Sequence, residues 1–130
     1  MRPVQRPLSP HLQVYKLPLT ARLSISHRIT GVGLSAGTML VAAFLLAAAT
    51  SEEAFDFVMA LATSIPGKVI LFLWSAALYF HMCNGIRHMF WDIGKNFDKA
   101  MAARSNYYVL MFAVLLTLIT WLLATSSFSQ

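Results

Sequence analysis

Three stretches of the chain carry no Lys, Arg, Asp or Glu: Ile29 to Ser51, Val69 to Ile86, and Ser105 to Gln130. At about 1.5 Å of rise per residue each can cross a hydrocarbon layer of roughly 30 Å, the second only just. The pattern therefore predicts three transmembrane helices, near residues 29–50, 67–90 and 106–126. Ahead of them, Pro3, Pro7, Pro10 and Pro18 forbid a continuous helix through residues 1–18, so residues 1–20 read as an extended strap at the membrane surface. Beyond Pro18, Thr20 is positioned to cap a helix that starts near residue 21 and runs straight into the first span, which then covers about 21–50. The first apolar run is too long and too far into the chain for a cleaved signal peptide. The start Met1-Arg2-Pro3-Val4-Gln5-Arg6-Pro7 is too short and proline-broken for an amphipathic transit helix.

Composition agrees with this pattern, because 58% apolar residues with only 12% charged exceed what a soluble domain of 130 residues carries. The expected fold is an all-α integral membrane protein in which residues 1–130 form a single membrane domain. Charge sets the orientation. Arg2, Arg6, Lys16, Arg22 and Arg28 precede or open the first span, and Arg87, Lys95, Lys99 and Arg104 lie around the connection between the second and third. Only Lys68 falls in the other connection, which carries Glu52, Glu53 and Asp56, read as a solvated loop cluster. By the positive-inside rule the N-terminus and the second connection are cytoplasmic and the C-terminus is outside. The net charge of +5 is thus a topology signal, and no nucleic-acid-binding pattern accompanies it.

Candidate chemistry is concentrated where the second run ends, in His81-Met82-Cys83-Asn84-Gly85-Ile86-Arg87-His88-Met89-Phe90-Trp91-Asp92. A histidine inside a membrane span is costly unless its ring nitrogens are engaged, and a haem iron is the best candidate partner. His81 and His88 lie two helical turns apart on one face, with Gly85 between them leaving room for a flat macrocycle. The competing reading is a haem-free membrane scaffold in which His81 hydrogen-bonds across helices. On the first helix Ser24, His27 and Arg28 share a face, which joins a hydroxyl, an imidazole and a guanidinium at the inner interface. A snorkelling arginine beside a hydroxyl bonded to its own backbone is the equally weighted alternative. Asp92 could hold His88 or Arg87 or face water, and His11 reads as a surface residue of the strap. Gly31, Gly33, Ser35 and Gly37 form a small-residue stripe suited to close helix or cofactor approach. Cys83, the single cysteine, reads as a small buried apolar residue and excludes disulfides, Cys₄ clusters and covalent haem attachment within the chain. The aromatics read as packing and interfacial anchors. No phosphate loop, catalytic carboxylate pair or nucleophile with a base appears.

Two blocks carry a specific resemblance. Arg6-Pro7-Leu8, Leu12, Leu19 and Ser24-x-x-His27-Arg28-x-Thr30 form the first, and His81-x-x-x-Gly85-Ile86-Arg87-His88-Met89-x-Trp91-Asp92-x-Gly94 the second. Both resemble the signatures of the cytochrome b subunit of succinate dehydrogenase, the large membrane anchor of respiratory complex II. The resemblance implies that His81 is one axial ligand of a haem b shared with a second, smaller anchor subunit that supplies the other. It places His27, Arg28 and His88 near the haem propionates, and Ser24 and Arg28 at a ubiquinone-binding pocket bordering the iron–sulfur subunit. It assigns the flavin, the iron–sulfur clusters and the succinate site to two peripheral partners, the flavoprotein and iron–sulfur subunits, so this chain is expected to have no catalytic residue and no activity alone. A bacterial inner membrane is the expected location. The anchor of a fumarate reductase using menaquinol is the nearest alternative.

Overall fold

The computed structural model describes residues 15–127 except Phe97. His11 and most of the expected strap lie outside the described residues, as does the Arg6 to Leu12 part of the first block. Among the described residues there are four helices and no strands: α1 (Leu19–Thr50), α2 (Glu52–Thr63), α3 (Ile65–Asp92) and α4 (Lys99–Ser127). Three of them, Leu19–Thr50, Ile65–Asp92 and Lys99–Ser126, are long and apolar enough to cross a membrane. The 32 residues of α1 reach about 48 Å, well beyond a hydrocarbon core of roughly 30 Å, so its first turns project past the apolar layer and carry Arg22 and Arg28.

Local chemistry fixes most of the helix ends. Pro18 holds the N-cap position of α1 with no side-chain cap, and its carbonyl accepts from the N–H groups of Ala21 and Arg22 at 3.0 and 3.2 Å. Thr20 is therefore inside the helix rather than capping it, and its hydroxyl is turned to another use described below. Residues 52–63, expected as a loop, form a helix instead. Ser51 Oγ accepts from Ala54 N at 3.3 Å, and Glu52 and Glu53 occupy the first turn, where negative charge complements the helix dipole. Glu52, Glu53 and Asp56 are solvated as expected, while Ala54, Phe55, Val58 and Met59 lie half-buried, with Phe55 packed on Phe44 of α1 at 5.7 Å between ring centroids. Ser64 caps α3 by accepting from Gly67 N at 3.2 Å, and Asp98 caps α4 by accepting from Ala100 N and Met101 N at 3.2 and 3.4 Å.

The helix α3 packs most extensively on α4 and next on α1, so it is the middle element of the bundle. Its seam with α4 is tied by Tyr79 and Thr120, whose hydroxyl oxygens stand 2.6 Å apart, and by Trp121 Nε1 donating to Ser75 Oγ at 2.9 Å. Among the described residues the side chains buried inside the bundle are Leu23, Ala47, Val109 and Ala113 together with the polar Asn84, Arg87, Asn106 and Thr117. Leu40, Leu45, Leu46, Ile70, Leu122 and Leu123 point outward and are exposed. An exterior more apolar than the interior is stable only where the surrounding solvent is itself apolar.

Candidate functional site

The seam between α1 and α3 gathers three imidazoles. His27 stacks on His81 with centroids 3.8 Å apart and planes 11° from parallel, and it tilts against His88 at 5.2 Å. His88 in turn meets Trp91 edge to face at 5.0 Å. The His81 ring can lie this close to α1 because Gly31 faces it: a Cβ there would stand 3.0 Å from His81 Cε1, tighter than a relaxed contact.

Hydrogen bonding fixes the tautomer of His81. Its Nδ1 lies 3.0 Å from the backbone carbonyl of His27 and 3.2 Å from Thr30 Oγ1. A carbonyl can only accept, so Nδ1 carries the proton, and in the neutral ring the lone pair is on Nε2. Nε2 makes no hydrogen bond among the described residues. Thr30 is oriented by its own helix, with Oγ1 2.9 Å from the Ser26 carbonyl and 3.0 Å from that of His27, which leaves an oxygen lone pair for the His81 N–H. A histidine whose Nδ1–H is held by a carbonyl and whose Nε2 is free is the arrangement that metal-ligating imidazoles use. Among the described residues no three His, Cys, Asp or Glu side chains converge as a self-sufficient metal site, so an iron at Nε2 would need its remaining ligands from elsewhere. His27 Nδ1 is buried without a partner, a polar atom open to a group that completes this seam.

The sequence of residues 2–120 matches the family of succinate dehydrogenase/fumarate reductase transmembrane subunits. Succinate dehydrogenase cytochrome b556 subunits are similar over most of both chains. That of Paracoccus denitrificans is 43% identical, covering 88% of each, and that of Rickettsia felis 38% identical, covering 90% of this chain and 91% of the relative. The mitochondrial succinate dehydrogenase cytochrome b560 subunit of Bos taurus is 38% identical across 86% of this chain and 68% of its own length. The chain belongs to the succinate dehydrogenase/fumarate reductase transmembrane subunit family.

In this family member the described part of the first block folds onto the second: His27 and Thr30 meet His81, and His27 meets His88. Arg28 is exposed on α1, close enough to act on His88 electrostatically, as does Asp92, which is exposed and bonded to neither His88 nor Arg87. Ser24 is half-buried and its hydroxyl makes no hydrogen bond among the described residues, so it is not turned back onto its own helix. A Cβ on Gly85 would meet only His27 Cε1, at an ordinary 3.6 Å, and it is Gly31 that faces the His81 ring. Of the expected Gly33 and Gly37 pair, Gly37 abuts the Trp74 indole and Gly33 faces open space. Cys83 is half-buried rather than buried.

Several residues of this bundle take roles that sequence spacing alone does not assign. Asn84 is fully buried on α3 and donates to the Leu23 carbonyl of α1 at 3.5 Å. Arg87 is buried and donates from Nη1 to Asn106 Oδ1 of α4, while Asn106 Nδ2 donates to Thr20 Oγ1 of α1 at 2.8 Å. One polar knot thus joins all three spans. The signal in the sequence is amide and guanidinium groups within or bordering apolar runs, where polar groups are costly and mark functional or packing sites.

Proposed function

We propose that this chain is the haem-binding membrane anchor of a succinate:quinone oxidoreductase, with His81 Nε2 as one axial ligand of a haem b. The observation that carries the reading is the His81 Nδ1–H bond to the His27 carbonyl, which leaves Nε2 as the free donor. A haem b supplies one-electron transfer at a potential set by its axial ligands, their hydrogen bonds and the dryness of the pocket. Thr30 and the His27 carbonyl hold the His81 ring in its plane. His27, with its buried unpartnered Nδ1, and His88 and Arg28 supply donors and positive charge for the propionates. Ser24 and Arg28 bind a ubiquinone: the free hydroxyl and the exposed guanidinium donate to its carbonyl oxygens, and the guanidinium offsets negative charge as electrons arrive.

The second axial ligand comes from a smaller anchor subunit, and succinate chemistry belongs to a flavoprotein and an iron–sulfur partner, so the chain has no activity alone. The names of the relatives favour succinate oxidation over fumarate reduction with menaquinol. The location is a bacterial inner membrane, with the N-terminus on the cytoplasmic side. The purified complex should give a b-type reduced-minus-oxidised spectrum, and its absence would favour the haem-free scaffold. His81→Ala should abolish the low-spin signal or leave a ligand-binding high-spin haem, whereas His11→Ala should be spectrally silent. An unchanged low-spin spectrum in His81→Ala would move the ligand to His88 or His27.

A further inference from the structure

Arg87 is 4% exposed, yet among the described residues no carboxylate is paired with it. Nη1 donates to the neutral Asn106 amide, the guanidinium carbon lies 4.6 Å over the Trp91 ring, and Nε and Nη2 are buried without partners. The guanidinium has only donors to offer, so the Asn106 oxygen must face it, which leaves Nδ2 to donate to Thr20 Oγ1. A buried guanidinium satisfied by one amide and one indole keeps its full charge while forfeiting much of its hydration, an arrangement that costs stability. It sits at the end of a row of touching rings, Trp91 against His88, His88 against His27, and His27 against His81, and its charge reaches both His27 and His88. In a low-dielectric seam such a charge is weakly screened.

We propose that Arg87 is a fixed, uncompensated positive charge that raises the reduction potential of the haem bound at His81. The inference rests on the haem assignment above. Reduction adds one electron to the ferric iron, here from a dithionite titrant, and lowers the charge of the site by one, so a nearby cation favours the reduced form. Trp91 and Asn106 serve to keep the guanidinium in place without neutralising it.

The test is redox potentiometry of the assembled, membrane-extracted complex, followed at the reduced b band. Asn106→Asp preserves the size and the accepting oxygen but supplies a counter-charge. It should lower the reduced-to-oxidised ratio at fixed ambient potential about tenfold, which is ~59 mV for one electron. Asn106→Leu deletes the hydrogen bond and keeps the charge, so it should lower thermal stability and leave the potential near that of the parent, as should Arg87→Lys. A purely structural role predicts instead that Asn106→Leu shifts the potential as far as Asn106→Asp does and that Arg87→Gln leaves it where the parent has it. Arg87→Gln removes the positive charge itself and should shift the potential downward as well. An unshifted potential in Asn106→Asp or Arg87→Gln, in a complex whose b spectrum is intact, overturns the proposal. Failure of both to assemble while Asn106→Leu assembles assigns Arg87 to packing and also overturns it. Loss of the haem assignment would be seen separately, as a missing b spectrum in the parent complex or an unchanged one in His81→Ala.

Discussion

A single hydroxyl shows how this site is set. Thr30 Oγ1 can give its one proton to the carbonyl of Ser26 or of His27, and in either case a lone pair remains for the His81 N–H 51 residues away. His81 and His88 are legible in the sequence because imidazoles stand out in an apolar run. Thr30 is legible only as a member of the first block and Gly31 only as one of a small-residue stripe, because their meeting with His81 depends on the register of α1 against α3, which no local pattern encodes. Ser24 and Arg28 are legible as a shared helical face, and the structure leaves both without an internal hydrogen bond among the described residues. Ser24→Ala removes one neutral hydrogen bond, about 0.5–1.5 kcal/mol, so quinone reduction by the complex should fall several-fold. Arg28→Leu should reduce it further, and Arg28→Lys should restore it only in part, since an ammonium lacks the planar fork. Succinate oxidation with an artificial acceptor that draws electrons from the peripheral subunits should stay near normal in all three. Unchanged quinone reduction in Ser24→Ala and Arg28→Leu complexes would remove the quinone site from this face.

At the scale of elements, the three spans follow from charge-free runs, but the helices are longer than those runs. α3 continues through Arg87, whose guanidinium is taken up inside the bundle, to Asp92, and α4 begins at the exposed Lys99, because the backbone stays helical into the interface. α2 escapes the same reading because three acids in a short segment resemble a loop. The Ser51 cap and the half-buried Ala54, Phe55, Val58 and Met59 face are the signals that mark it as a helix. The small-residue stripe of α1 is similarly half legible: spacing identifies Gly33 and Gly37 together, and packing uses only Gly37 within the chain. A methyl group on Gly37 would collide with the Trp74 indole, whose Nε1 is itself buried without a partner. Gly37→Ala should therefore cost about 1–3 kcal/mol through overpacking, seen as a lower unfolding temperature in detergent. Gly33→Ala meets nothing within 4 Å in this chain and should be close to neutral in the same measurement. Equal effects of the two would mean that α1 and α3 are not in the register described.

For the whole molecule, the distribution of charge and the inside-out packing act together. Polar groups that must be satisfied, Asn84, Arg87 and Asn106, are drawn into the bundle near the end of α3, the same end at which Arg22, Arg28, Lys95 and Lys99 gather. The opposite end carries Glu52, Glu53 and Asp56 on α2, with Lys68 as the lone basic residue. A chain with three crossings and this asymmetry should place its basic end in the cytoplasm, with the N-terminus expected inside and the C-terminus outside. That orientation also sets Ser24, Arg28 and the histidine seam toward the cytoplasm, where a peripheral electron donor would dock. Reporter fusions check it directly: a fusion in the α3–α4 connection near Lys99 should be active with a cytoplasmic reporter, and one at Gln130 only with a reporter that works outside. Adding Lys residues to the Glu52–Thr63 segment should weaken this preference by balancing the two sides. A cytoplasmic signal at Gln130 in the unmodified chain would contradict three crossings, and with it the placement of the quinone face on the side from which electrons are supplied.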